Sequence, residues 1–304
     1  MHLTAAYRCS GFARAAPVWA AVRSRSLAVA AAADGSPPGG GSSDAGSGTR
    51  VALVQGSSRG LGLEFVRQLV ERPNTRVVAT CRSPAAAEQL QALRLQHAGR
   101  LDIVQLDSTD ESSIARAAEQ VAALTQHLDL LINATGILHD SSMAPETALA
   151  RVTMDSLLKC FQVNAAGHIL VAKHFAPLLI NAAKLNGATD ERPAVLANLS
   201  ARVGSIGDNR LGGWHSYRAS KSACNQLTKC AALEFERRKQ KVAAIVLHPG
   251  TVDTDLSKPF QKNVPPEKLF SRERAVRQLL AIVDRTSMRE NGRFFDWKGQ
   301  EVEW

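Results

Sequence analysis

Tyr217 and Lys221 are the residues of this chain whose types and spacing most directly imply chemistry. On a helix they stand at i and i+4, so both side chains leave one face a turn apart. A free phenol titrates near about pH 10, too high for a base at neutral pH, but a neighbouring ammonium favours the phenolate and lowers that value. Such a phenol can give a proton to a carbonyl oxygen or take one from an alcohol. Tyr217 has no competitor, because the only other tyrosine is Tyr7 in the leader.

A second group of residues suits a dinucleotide. After an aliphatic run come Gly56, Ser57, Ser58, Arg59, Gly60, Leu61 and Gly62, opening straight into a helical pattern. A pyrophosphate needs backbone N–H groups at a helix N-terminus with no side chains in the way, and glycine supplies both the turn and the space. Glycine-rich turns without a ligand are common, so position after the first strand is what gives this one weight. Asp107, at the end of the third strand, is placed to accept from an adenine amino group; its other reading, as a helix N-cap, suits Asp110 or Ser112 better. The second strand ends Thr80-Cys81-Arg82-Ser83, with no acid between Val77 and Pro84. An acid there would hold a ribose 2′-hydroxyl, whereas Arg82, flanked by Arg59, suits a 2′-phosphate. Either arginine alone would be read as a solvated surface residue. Together they favour NADP(H) over NAD(H).

These residues need a scaffold, and the pattern supplies one from Arg50 onward. Short aliphatic runs at Val51–Gln55, Arg76–Thr80, Leu101–Leu106, Leu128–Asn133, Ala194–Leu199, Val242–Leu247 and Arg293–Phe295 read as buried strands. Between them, Leu61–Glu71, Ala85–Leu95, Ser112–Gln126, Met154–Ala183, Ser216–Lys239 and Ser271–Asp284 read as amphipathic helices. This alternation predicts one α/β domain over residues 50–304, a doubly wound Rossmann fold with a parallel seven-stranded sheet and helices on both faces.

Before that domain the composition changes. The first 33 residues hold Arg8, Arg14, Arg23 and Arg25 and no acid, the composition of an organelle transit peptide. The alanine-rich Ser26–Ala30 stretch favours chloroplast over mitochondrion. A Gly/Ser/Pro run to residue 49 reads as a flexible linker. The net charge of +9 comes from scattered basic residues with one tight cluster, Arg237-Arg238-Lys239, at the end of a helix where its dipole favours cations. That argues against nucleic acid and suits an anionic cofactor. Five cysteines without a C-x-x-C pair or a histidine cluster exclude a zinc site and a disulfide framework, and no metal is expected. No uninterrupted apolar run reaches the roughly 18 to 20 residues that span a bilayer, so no membrane partner is expected.

Taken in chain order, Gly56-x3-Gly60-x-Gly62, Asp107, Asn133-Ala-Thr-Gly136, Asn164, Ser200, Tyr217-x3-Lys221 and Pro249-Gly-x-Val-x-Thr254 resemble the short-chain dehydrogenase/reductase superfamily over roughly residues 50–256. Within it, Asn198-Leu-Ser-Ala-Arg-Val-Gly-Ser and Phe295-Asp-Trp-Lys-Gly are similar to the C-factor and sniffer-type carbonyl reductases. The resemblance implies hydride transfer between NADP(H) and a small carbonyl or alcohol. It implies Tyr217 as acid/base, Lys221 beside the phenol and the nicotinamide ribose, and Asn164 holding a relay water from a bend in its helix. An Asn inside a helix is unfavourable and asks for such a reason. Asn133 would stabilise the central strand beside the adenine pocket and Gly136 would close that motif. Pro249, Gly250, Val252 and Thr254 would hold the nicotinamide carboxamide, although Pro-Gly makes a turn in any case. Ile137, Leu138, Met143 and Trp214 are candidate pocket walls, with residues 254–266 as a mobile lid. One departure stands out: the catalytic serine of the family is generally the second of a Ser-Ser pair, and here the pair is Ser200-Ala201. Ser200, or failing it Ser205, is then the candidate substrate donor. The alternative favoured by Ala201 is a nucleotide-binding regulatory module with little turnover. A homodimer or homotetramer both fit the resemblance.

Overall fold

The computed structural model describes residues 48–304. The transit-peptide and linker expectations lie outside the described residues.

The main sheet uses β1 (Arg50–Gln55), β2 (Thr75–Cys81), β3 (Leu101–Gln105), β4 (Leu130–Asn133), β5 (Ala194–Leu199) and β6 (Val242–His248). Two-residue strands β7 (Thr251–Val252) and β8 (Leu269–Phe270) pair with each other, and β9 (Phe294–Asp296) completes the main sheet. Its order is β3-β2-β1-β4-β5-β6-β9, and every pairing is parallel. Parallel strands need covered crossovers, here supplied by α1 (Gly60–Val70), α2 (Glu88–Gln96), α3 (Glu111–Leu124), α4 (Met154–Phe161), α5 (Gly167–Leu185), α6 (His215–Arg237) and α7 (Arg272–Asp284).

Side-chain alternation along each strand divides the core into two layers. Ala52 and Val54 of β1 pack with Phe65 and Leu69 of α1 and Leu279 of α7. Val51 and Leu53 pack on the other face with Ile114 of α3, Phe175 of α5 and Phe235 of α6. Because β5 and β6 are buried along nearly their whole length, they read as near-continuous aliphatic runs, interrupted by Asn198 and ended by His248, rather than as alternation.

Two differences from the expected elements have physical causes. The long helix expected over Met154–Ala183 contains a π-helical turn at Gln162–Ala166, centred on Asn164. The β7–β8 ribbon was not foreseen, since two residues carry no period. The helical stretch Met154–Leu185 also reaches a mean hydropathy of 1.3 over 18 residues, apolar enough by composition to cross a membrane, which the uninterrupted-run criterion overlooked because polar residues punctuate it. Half of that window is buried within the protein, where Val171, Phe175 and Leu179 pack against the sheet.

The chain leaves β1 toward β2 and β3 on one side, then returns to lay β4 on the other. The crevice beyond the carboxyl ends of β1 and β4 is therefore the topological switch point, where ligands bind in open α/β sheets. The candidate residues collect there.

Candidate active site

The β1–α1 turn is shaped by three glycines with different tasks. Gly56 has φ +85° and donates to the Thr80 carbonyl at 3.0 Å, as Ser57 does at 2.9 Å. A Cβ on Gly56 would lie 2.5 Å from Thr135 Oγ1, and one on Gly62 would overlap the Gly56 carbonyl. Gly62 therefore lets α1 close onto the turn. Gly60 has φ +61°, and a Cβ there would meet nothing nearer than Thr254 Cγ2 at 3.9 Å, so its outer face is uncrowded. Helix α1 starts without a side-chain cap and without an acid in its first turn. Its free N–H groups and positive dipole end thus suit an anion. Leu61 packs into the core below, while Ser58, Arg59 and Arg82 are exposed. Arg59 stands 3.7 Å from Asp255, both largely in solvent.

Asp107 accepts at Oδ1 from the Thr109 N–H (2.9 Å) and hydroxyl (2.7 Å). The cap of α3 is Asp110, which accepts from the Ser112 N–H, so Asp107 is not needed for that purpose. Asn133 donates to Asn198 Oδ1 (2.7 Å) and to the His168 carbonyl (3.2 Å), tying β4 to β5 and α5. Beyond β6, Pro249 leads to Gly250 at φ +79°, where a Cβ would lie 2.7 Å from the Phe270 ring. Val252 is buried in β7, and the Thr254 N–H donates to Ser257 Oγ at 3.3 Å.

Tyr217 and Lys221 both face inward from α6 and are buried. Lys221 Nζ donates to the Leu199 carbonyl at 2.9 Å and lies 5.9 Å from the centre of the Tyr217 ring. Asn164 explains its own place in the π turn: Oδ1 accepts from the Ile137 N–H at 2.7 Å, while Nδ2 donates to the Ile137 carbonyl (2.8 Å) and to Ser220 Oγ (2.9 Å). It pins the loop after β4 to α6. A Cβ on Gly136 would lie 3.6 Å from Asn164 Oδ1, 3.7 Å from Lys221 Nζ and 3.8 Å from Leu256 Cδ1. A side chain on the exposed Gly136 would therefore touch the amide of Asn164, the ammonium of Lys221 and Leu256.

The electrostatics differ from the sequence expectation. Burial pushes the Tyr217 phenol above its ordinary pKa and the Lys221 ammonium below its own. The ammonium is too far from the ring, and too engaged with Leu199, to outweigh that burial. His168, which sequence reasoning missed, lies beneath the pair. Burial first, then Lys221, lowers its pKa to about 3. Its Nε2 donates to the Thr135 carbonyl at 2.8 Å, which leaves Nδ1, 3.4 Å from Cys224 Sγ, as an acceptor. Its only local signal was the i+4 spacing from Asn164.

Ser200 is committed elsewhere. Its buried hydroxyl donates to Asn225 Oδ1 at 2.7 Å, and a hydroxyl has one proton to give. Ala201 follows in extended conformation. Ser205 is also buried, but its Oγ accepts from the Asp208 N–H at 3.0 Å and keeps its proton. Ser200→Ala should therefore cost about 1–3 kcal/mol of stability by taking the donor from Asn225 Oδ1, and alter kcat/KM by less than about threefold. Thermal unfolding beside carbonyl-reduction kinetics checks this; unchanged stability with a large loss of turnover would return Ser200 to the substrate.

Of the candidate pocket walls, Leu138 and Met143 are buried and Ile137 half-buried. Trp214 lies edge-on to Tyr217 at 6.3 Å and tilted against Phe260 at 5.1 Å. Phe260 belongs to a 3₁₀ helix, Lys258–Asn263, inside the segment expected as a lid. His139 Nε2 donates to the carbonyls of Asp255 (3.1 Å) and Leu256 (3.2 Å), so the segment is held at a second point.

Comparison with known proteins agrees with this geometry. Residues 50–265 match the short chain dehydrogenase family model. The chain is 30% identical over 180 residues to C-signal of Myxococcus xanthus, spanning 59% of this chain and 95% of that protein. The NADPH-bound carbonyl reductase from chicken fatty liver is 32% identical with a TM-score of 0.74, over 84% of this chain and 99% of that one. Carbonyl reductase Sniffer of D. melanogaster is 28% identical with a TM-score of 0.75, over 84% and 100%. Given the motif order, the sheet and these relatives, the chain belongs to the short-chain dehydrogenase family, with its resemblance falling among the C-factor and sniffer-type members.

Proposed function

We propose that this oxidoreductase reduces small carbonyl compounds with NADPH, using Tyr217 as the proton donor. The observation that carries the reading is the buried Tyr217–Lys221 pair beside the exposed Gly136 at the switch point. The residues fit the cofactor: an uncapped α1 N-terminus for the pyrophosphate, an uncrowded Gly60 beside it, and the exposed cations Arg59 and Arg82 for a 2′-phosphate. The NADPH-bound relative supports the same choice. When bound, NADPH supplies a hydride to the carbonyl carbon. Tyr217 delivers its proton to the carbonyl oxygen, and the alcohol leaves. Lys221, buried and positive, stabilises the phenolate as it forms. Asn164 holds the Ile137 backbone so that the pocket wall keeps its position against α6. Leu138, Met143, Trp214 and Phe260 exclude water and favour an apolar substrate.

The test is a carbonyl-library screen following NADPH absorbance. The alternative, a regulatory nucleotide-binding module, predicts cofactor binding with no turnover of any carbonyl. Cofactor choice is tested separately. Arg82→Asp removes a phosphate partner and adds repulsion, so NADPH affinity should fall at least about tenfold while NADH affinity changes little. Fluorescence titration of both reads this, and an equal loss for both would remove Arg82 from the 2′-phosphate site.

A further inference from the structure

Helix α6, which carries Tyr217, begins without a cap of its own. Trp214 occupies the N-cap in left-handed conformation at φ 49°, no side chain of the turn caps it, and its first turn contains no acid. The first amides of a helix lack intrahelical partners, and the dipole leaves that end positive. The group that meets it is Glu146, 70 residues upstream in sequence. Its carboxylate oxygens lie 3.3 and 3.4 Å from the Ser216 N–H, and the Ser216 hydroxyl donates to Oε1. The Glu146 backbone carbonyl accepts from the Trp214 N–H at 2.6 Å. Glu146 is 4% exposed. Burying a carboxylate is unfavourable unless it is well hydrogen-bonded, and among the described residues this one's hydrogen-bond partners are the N–H and hydroxyl of Ser216. Ser216 immediately precedes Tyr217.

We propose that Glu146 is a positioning residue for the proton donor: by capping α6 from a distant segment, it fixes the first helical turn and with it the direction of the Tyr217 phenol. The same bonds tie to that turn the segment bearing Leu138 and Met143, so acid and pocket wall are held as one unit. This rests on the reading of Tyr217 given above.

Two measurements on the full-length protein test it. In the free protein, peptide-resolved amide exchange over residues 214–220 should accelerate at least about tenfold in Glu146→Ala, with peptides of β1 and α1 unchanged. In turnover, the same variant should lose about tenfold in kcat, with the KM for NADPH within about twofold of wild type. Glu146→Gln, whose carbonyl oxygen can accept the same N–H, should bring both effects back to within about threefold. Ser216→Ala deletes only the hydroxyl partner and carries the same test, at about threefold, if Glu146→Ala does not fold. Unchanged exchange in Glu146→Ala overturns the cap, as does Glu146→Gln behaving like Ala. Faster exchange with unchanged kcat overturns the positioning role. A wild type that reduces no carbonyl sinks instead the reading of Tyr217, an outcome that exchange, needing no turnover, keeps separate from the cap.

Discussion

Tyr217→Phe should bind NADPH nearly as wild type does and reduce carbonyls at least about 100-fold more slowly, the usual scale for loss of a general acid. The substitution deletes one oxygen and keeps the ring, so the edge-on contact with Trp214 and the burial of α6 against the sheet are retained. With the other tyrosine at position 7, no second phenol can take over within the domain. Steady-state kinetics beside a fluorescence titration separate the two effects, and a Phe variant with wild-type turnover would dismiss Tyr217 as the donor.

Gly62→Ala should be the most damaging of the single-methyl additions around the turn. The added carbon would overlap the Gly56 carbonyl and press on the Gly56 and Ser57 backbone. Backbone cannot rotate away as a side chain can, so either α1 lifts or the turn opens. Overpacking of this kind costs about 1–3 kcal/mol, which for a domain of this size lowers Tm by about 3–10 °C. Because the first amides of α1 move with the helix, NADPH affinity should fall at least about tenfold. Calorimetry and cofactor titration measure both. A variant with unchanged Tm and unchanged affinity would mean that the turn is looser than this packing describes.

The elements of the main sheet were legible to within a few residues because its strands and most helices announce themselves locally. Ala194–Leu199 is an apolar run with both faces covered, and Ser216–Lys239 repeats at helical spacing. The Tyr217–Lys221 pair was legible for the same reason, since i and i+4 is a local relation. What stayed hidden depends on contacts between residues far apart in sequence. Glu146 looks like any surface acid until the fold brings it to Ser216. Ser200 looks like a free hydroxyl until Asn225 arrives from the next helix. Sequence spacing shows the ammonium beside the phenol but not the burial of both groups, which pushes the phenol's pKa upward. The π turn was suggested only by an out-of-place Asn, whose partners, Ile137 and Ser220, belong to other segments.

The amide of Asn133 has a bearing on how the sheet finds its alignment while folding. Residues 133 and 198 are register partners between β4 and β5, and their side chains join by a hydrogen bond within an otherwise aliphatic interior. Asn198 passes the bond on to Thr228, which in turn donates to the Cys224 carbonyl of α6. A slip of one residue would set each amide against an aliphatic neighbour, since Ala197 and Leu199 flank Asn198. It would also turn the whole strand face for face. Two amides would then be buried without partners, at a cost of roughly 1–3 kcal/mol each. An all-aliphatic pair of strands would have no such preference, because one Val or Leu opposite another is much like the next. Polar residues at the centre of the sheet thus act as a key: they single out the one alignment in which the chain can collapse with its two amides joined to each other.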